Sequence, residues 1–261
     1  MKITDRDIDN GKPFDWGKTS LDYAKFRDIY PKEFYQKIVD RKLCIDGQSI
    51  LDVGTGTGVL PRNMYQYGAK WRATDISGNQ IEQAKILSKD MDIDYYVVPT
   101  EDISFSDNSF DVITACQCFW YFNHEIVMPK FYRMLKKEGK ILVLYMAWLP
   151  FEDKIAGASE KLVLKYSPNW SGAGETIHQI DIPDCYKENF ELVHHEEFTV
   201  RIPFTHESWN GRMKACRGIG ASLTEKEISM WEQEHRTLLE HIAPNEFDIL
   251  HYCAIAELKK R

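Results

Sequence analysis

The sequence lacks the features that mark several large classes of protein. Its longest apolar run, Ile141 to Leu149, falls well short of the roughly 20 residues a membrane-spanning helix needs. Residues Met1 to Asn10 carry charge from the second position on and lack the apolar stretch of a signal peptide. There is no basic excess: 33 Lys and Arg stand against 40 Asp and Glu, a net charge of −7. That balance argues against a general binder of phosphate backbones, so no nucleic-acid partner is expected. The six cysteines show no CxxC spacing, and the eight histidines show no HExxH or other metal spacing, so no metal is expected. Cys116 and Cys118, two apart in a strand-like run, are expected on one buried face. Thiols used as core residues suit a reduced, cytoplasmic setting. No internal repeat or low-complexity tract occurs.

What remains is an ordinary globular composition. The chain has 261 residues, 43% apolar and 28% charged, enough to bury a large core without disulfides. Its first 150 residues alternate between strand and helix patterns. Pro31 is placed to open a helix at its first position, with Phe34, Ile38 and Leu43 on one face. Strands are expected at Ser49–Val53, Ala69–Ile76, Tyr95–Pro99, Phe110–Cys118 and Ile141–Trp148. Between them, helices are expected over Gly58–Tyr67, after a capping pattern at Ser77 and Gln80, and leading to Leu135, where Pro129 is a kink or the true start. Such alternation predicts a parallel sheet with helices on both faces.

After Pro150 the pattern changes. A helix is expected within Glu152–Tyr166 and a loop at Trp170–Gly174. A long bent strand over Phe190–Phe204 is interrupted by Pro203. A second capping box at Thr224 and Glu227 precedes a helical face of Ile228, Trp231, His235, Leu238, Leu239 and Ile242. A last strand covers Phe247–Leu258.

The stretch that carries chemistry is Ile50-Leu51-Asp52-Val53-Gly54-Thr55-Gly56-Thr57-Gly58. A buried strand runs into three alternate glycines, and a helix follows. Glycine allows a sharp turn and close approach of a ligand to the backbone. Exposed amides at a helix start favour a negative group. The next strand ends in Asp75, whose carboxylate can take both hydroxyls of a ribose. The competing reading is a nicotinamide-dinucleotide site, G-x-G-x-x-G. The third glycine of that fingerprint falls on Val59 or on Pro61, according to register, and neither fits.

Leu51 to Gly58 resembles the first motif of the class I S-adenosylmethionine (SAM)-dependent methyltransferases, of the small-molecule, type 11-like kind. Ala73-Thr74-Asp75-Ile76-Ser77 resembles their ribose-binding strand end. Thr100 to Phe105 with Asn108 to Asp111 resembles the adenine-side loop, and Phe131 to Gly139 the helix before the fifth strand. Tyr23 to Arg27 with Tyr30-Pro31 resembles an N-terminal segment of many small-molecule members. The resemblance implies a Rossmann-like α/β fold: a seven-stranded, mostly parallel sheet with an antiparallel last strand and an insertion or lid after the fifth strand. It implies one domain over 1–261. That domain comprises an N-terminal helical cap (1–45), a SAM-binding core (46–149), the lid (150–189), and C-terminal strands and helix (190–261).

By the same resemblance Gly54, Thr55, Gly56 and Gly58 pack on the methionine portion of SAM near Asp52. Asp75 and Ile76 hold the ribose. Glu101, Asp102 and Ile103 lie at the adenine, and Gln117 and Cys118 flank the methionine chain. Tyr23 and Arg27 are cofactor residues, with Arg27 a candidate for the methionine carboxylate. Relatives with a His-Trp-Phe run after the fourth strand differ from Phe119-Trp120-Tyr121-Phe122 here, so an imidazole is missing and no catalytic base is assigned. Phe119, Trp120, Phe122, Trp148, Trp209 and Arg212 are expected at the acceptor, as aromatic walls with few polar groups suit a small molecule. The function so implied is methyl transfer to a small molecule by in-line displacement, in a monomer or homodimer off the membrane. The alternatives are a nucleotide-dependent oxidoreductase or a non-catalytic SAM-binding protein.

Overall fold

The computed structural model describes residues 2–261; Met1, the first residue of the expected cap, lies outside the described residues. Helix α1 (Ser20–Phe26) precedes α2 (Lys32–Asp40). Then come β1 (Ser49–Val53), α3 (Val59–Met64), β2 (Lys70–Asp75), α4 (Gly78–Leu87), β3 (Ile93–Val97) and β4 (Phe110–Cys116). Helix α5 (His124–Met134) leads into β5 (Leu135–Trp148), followed by α6 (Lys154–Tyr166) and β6 (Phe190–Thr205). Helices α7 (His206–Lys214) and α8 (Glu225–Ile242) precede β7 (Glu246–Lys260).

The strands form one seven-stranded sheet in the order β3-β2-β1-β4-β5-β7-β6. Pairs β1–β2, β1–β4, β2–β3 and β4–β5 are parallel. The last strands run antiparallel and helices surround the sheet, a Rossmann-like arrangement. Strand β1 is paired on both edges, and its side chains on both faces, Ile50, Leu51 and Val53, are fully buried, as in a parallel sheet covered on each face.

The elements depart from the sequence reading where tertiary contacts decide. Pro31 keeps an extended ψ of 156° and stands just before α2, its carbonyl accepting from Phe34 N. Strand β4 stops at Cys116 because Gln117 takes a left-handed φ of 66°. Cys116 and Cys118 therefore do not share a strand face. Strand β5 begins at Leu135 rather than Ile141, with a register shift against β4 between Phe110 and Val112. Pro129 lies inside α5 and does not start it. Pro203 lies within β6, which is tolerated because β6 is an edge strand with its proline exposed. Thr224 and Glu227 make the reciprocal capping box, but of the expected α8 face Ile242 is exposed.

The chain divides into two compact units. The glycine-turn unit comprises Tyr30–Met146, His178–Phe198 and Cys253–Arg261. Its core gathers Leu51, Val53, Ile113, Phe119, Phe131 and Tyr186. The tryptophan-rich unit comprises the residues up to Ile29, Ala147–Ile177 and Thr199–Tyr252. The expected cap thus contributes residues to both units, and the expected lid is divided at Ile177.

The tryptophan-rich unit is held by buried polar groups as well as rings. Arg217 forms a bidentate ion pair with Asp9, both buried, and Ser171 donates to Asp9 from its amide and its hydroxyl. Trp209 Nε1 donates to Ser159 Oγ at 2.9 Å, and the His235 ring bridges Ser159 Oγ and Asn210 Oδ1, each at 2.9 Å. Burial pushes His235 down to about 3, so this imidazole is neutral. Among the described residues no helix is long and apolar enough to cross a membrane.

Candidate functional site

Strand β1 delivers Asp52 and Val53 to the turn Gly54–Gly58. Gly54, Gly56 and Gly58 have φ of 61°, 58° and 73°, a left-handed region that residues with a Cβ enter only at a cost. Close approach adds a second reason for glycine. A Cβ on Gly54 would lie 2.8 Å from Cys118 Cβ and Sγ, and one on Gly58 would lie 2.4 Å from Tyr95 Oη. The turn is tied to β2 by Thr55 N donating to Thr74 O at 2.9 Å.

At the end of β2, Asp75 faces this turn. Its Oδ2 accepts from Gly56 N and its Oδ1 from Ser77 N, both at 2.8 Å. An ionised carboxylate offers about four acceptor sites. Two amides orient the group, and each oxygen retains one acceptor site. The amides favour the ionised form, but burial outweighs them and raises the carboxyl above its ordinary value.

Asp52 is the second carboxylate and is almost fully buried. Its Oδ1 accepts from Thr114 Oγ1 at 2.6 Å. Burial raises its pKa to about 7, against the hydroxyls of Thr114 and Thr55, which favour the charge. Cys118 Sγ donates to Val53 O at 3.1 Å, and burial lifts its thiol well above the ordinary range. It is therefore no thiolate nucleophile at neutral pH.

The other sequence-predicted positions of this unit are placed as follows. Glu101 and Asp102 lie in a short 3-10 turn, Thr100–Asp102, which Ile103 closes with its side chain buried in the core. Glu101 Oε1 accepts from Asn123 N at 2.9 Å, ahead of α5, and Asp102 is exposed. Ile76 is half-buried beside Asp75. Gln117 Nε2 donates to Met146 O at 2.6 Å. Phe119 is in the core, Phe122 packs against it, and Trp120 is 45% exposed with its ring edge-on to Tyr145 at 4.7 Å. His124 opens α5 half-buried, 3.1 Å from Tyr186 Oη, and burial lowers its pKa.

Tyr23, Arg27, Trp148, Trp209 and Arg212 belong to the tryptophan-rich unit. The Arg27 guanidinium lies 4.7 Å over the Tyr23 ring and donates to Tyr23 Oη at 3.2 Å. Arg212 is buried with its guanidinium 4.9 Å over the Trp148 ring. Trp209 is fully buried and 5.7 Å from Trp148. The structure thus brings Asp52, the three glycines, Asp75 and Cys118 together around one turn, and groups these five residues separately.

Sequence reasoning missed Thr114 and Tyr95 as neighbours of the turn, while Ser77 already closes the stretch Ala73-Thr74-Asp75-Ile76-Ser77 in the sequence. A signal existed for Thr114: a hydroxyl inside the apolar run Val112-Ile113-Thr114-Ala115 needs a buried partner, and Asp52 on the adjacent strand is that partner. Tyr95 closes over Gly58 through tertiary packing alone. Among the described residues no group of His, Cys, Asp and Glu could hold a metal ion.

A family model for a methyltransferase domain matches residues 51–143, the stretch from β1 into β5. An uncharacterized methyltransferase-like protein of Schizosaccharomyces pombe is 28% identical over 147 residues, 54% of this chain and 57% of that protein. A ubiquinone biosynthesis O-methyltransferase of Xanthomonas oryzae is 25% identical over 134 residues, 50% of this chain and 56% of that one. The chain spans about half the length of the curated relatives it matches. Among solved structures, a phosphoethanolamine N-methyltransferase of Haemonchus contortus in complex with phosphomonomethylethanolamine and S-adenosylhomocysteine superposes with a TM-score of 0.54. Its identity is 17%, over 94% of this chain and 58% of that one. The YcgJ protein of Bacillus subtilis gives 0.53 at 15% identity, over 88% and 99%. These two likenesses are of fold.

Proposed function

We infer that this chain belongs to the class I SAM-dependent methyltransferases, whose methyltransferase domain it resembles, and that it transfers a methyl group from SAM to a small-molecule acceptor. The observation that carries the reading is Asp75, oriented by Gly56 N and Ser77 N beside a left-handed glycine turn. Two remaining acceptor sites on a fixed carboxylate match the paired hydroxyls of a ribose. Glycine faces without a Cβ leave room for the rest of the cofactor.

The residues present fit that cofactor. Asp75 would hold the ribose, and Gly54, Gly56 and Gly58 the methionine portion. Ile76, Glu101, Asp102 and Ile103 are assigned to the adenosine side. When bound, SAM supplies an already activated methyl group on a sulfonium. The work left to the protein is to hold donor and acceptor in line and to exclude water, which in favourable cases supplies roughly 7–11 kcal/mol. A general base is needed only if the acceptor atom carries a proton at neutral pH. Asp52, titrating near neutrality, is suited to balancing a bound cation. The O- and N-methyltransferase names of similar proteins support a small acceptor and leave the acceptor atom open.

The test is calorimetric titration of the full chain with SAM, S-adenosylhomocysteine and NAD, followed by turnover against a metabolite panel. Binding of the first two and not NAD is expected, with methyl transfer to at least one acceptor. Tight NAD binding would sink the proposal in favour of an oxidoreductase. SAM binding without turnover on any acceptor would favour the non-catalytic reading.

A further inference from the structure

Strand β6 closes the sheet at one end, so one of its edges is unpaired among the described strands. Its first part, residues 190–198, belongs to the glycine-turn unit, as does α2. Sheet edges are commonly guarded against pairing by lysine, proline or a bulge. The run Phe190-Glu191-Leu192-Val193-His194-His195-Glu196-Glu197-Phe198 contains no lysine, proline or glycine. It also leaves two large apolar side chains in solvent, Leu192 at 47% and Val193 at 39% exposure. Alternation along the strand puts Leu192, His194, Glu196 and Phe198 on one face. That face turns toward α2: Lys37 Nζ pairs with Glu196 Oε1 at 2.5 Å and lies 4.6 Å over the Phe198 ring. The hydrogen bond from Lys37 leads in holding Glu196 below the usual carboxylate range, so it is ionised at neutral pH. Glu196 Oε2 stands a loose 3.5 Å from His194 Nε2, a nitrogen without a hydrogen-bond partner among the described residues.

We propose that the outer edge of β6 is a homodimer interface, to which a second copy of this chain adds its own β6 antiparallel about a two-fold axis at His195. Such an axis sets residue 195 − n opposite residue 195 + n of the other copy. His194 then faces the partner's Glu196, and Leu192 faces the partner's Phe198, each twice by symmetry. Opposed side chains of this kind are what stabilise a pair of strands. The register is selective. An axis at Glu196 sets two carboxylates against each other. An axis at His194 sets Leu192 against a glutamate and Glu191 against Glu197. Protonated or neutral, an imidazole can donate an N–H to the facing carboxylate. On the other face the two His195 rings meet at the axis, each 3.7 Å from Glu197 Oε1 of its own chain. The interface does not depend on methyl transfer.

Sedimentation velocity of the full chain over a concentration series tests this, and a monomer–dimer equilibrium is expected. His194→Glu turns both crossings into pairs of glutamates, and Glu196→His turns them into pairs of histidines. Each should weaken dimerisation about tenfold or more. An equimolar mixture of these two variants should regain the wild-type association, because every crossing again sets histidine against glutamate. Leu192→Lys, at an exposed position, should weaken the dimer as well, and it carries the test if circular dichroism shows a charge variant unfolded. The proposal is overturned if the wild type stays monomeric at the highest concentration reached. It is also overturned if Leu192→Lys and the folded charge variants dimerise as the wild type does, which would place the contact elsewhere. Mixed charge variants that associate no better than each alone would overturn the register and with it the interface.

Discussion

The two units are organised by different parts of the polypeptide. In the glycine-turn unit the decisive contacts are made by backbone: amides of Gly56 and Ser77 hold Asp75, and left-handed glycines shape the turn. In the tryptophan-rich unit they are made by side chains from distant segments, such as Asp9 with Arg217, Ser159 with His235, and Arg212 on Trp148. A backbone-built site depends on local conformation, so substitutions there act mainly on the ligand. A side-chain network in a dry interior depends on complete pairing, so removing one member acts mainly on stability.

The largest effect should come from breaking the side-chain side of this contrast. Asp9→Ala leaves Arg217 buried without its carboxylate and should cost about 3–5 kcal/mol, read as a lowered midpoint in urea denaturation. A loss below about 1 kcal/mol, the range of an exposed pair, would mean the ion pair is a surface decoration.

On the backbone side, Gly54→Val adds a β-branched residue at a φ of 61° and drives its Cβ against Cys118. Strain of about 1–3 kcal/mol is expected from the dihedral alone. SAM titration of the folded variant should show no binding. Normal affinity would remove the turn from the site.

Asp75→Ala should weaken SAM by roughly 1.5–3 kcal/mol, the range for hydrogen bonds to a charged group, while thermal unfolding changes little. An unchanged calorimetric isotherm would take Asp75 out of the cofactor site.

A graded effect, spread over pH rather than read at one condition, sharpens the comparison through Asp52. Burial raises this carboxyl from 3.8 to about 7 in the folded chain. The folded state therefore holds a proton that the unfolded state has released. The contribution of Asp52 to stability is fully present below about pH 4, falls as pH rises towards 7, and levels off above it. A bound sulfonium favours the carboxylate, so SAM affinity should rise with pH through about 7, by at most about tenfold per unit, with proton release on binding. Asp52→Asn should flatten both profiles. A slope that survives the substitution would point to another group.

Much of the glycine-turn unit was legible because its signals are local. Alternating glycines after Val53 and an acid at the end of the next strand are properties of neighbouring residues, and parallel pairing of β1 with β2 brings Val53 level with Thr74, next to Asp75. The buried run Ile141–Leu144 marked β5, but the start of that strand at Leu135 was hidden because a register shift against β4 accommodates Gly139 and the left-handed Glu138. Helix α7 was not recognised at all. Its Gly211 reads as a breaker, yet it is where Phe26 seats.

By itself the sequence determined the order of the seven strands, the capping box that starts α8, and the turn that only glycine can make, since each depends on periodicity or on a backbone angle within a few residues. Only the tertiary structure decided that Gln117 would turn left-handed and seat Cys118 against Gly54, and that the hydroxyl of Thr114 would partner the buried Asp52. Those outcomes join residues far apart in the chain. They follow from the close packing of side chains and from the need of every buried polar group for a partner, which no local pattern encodes.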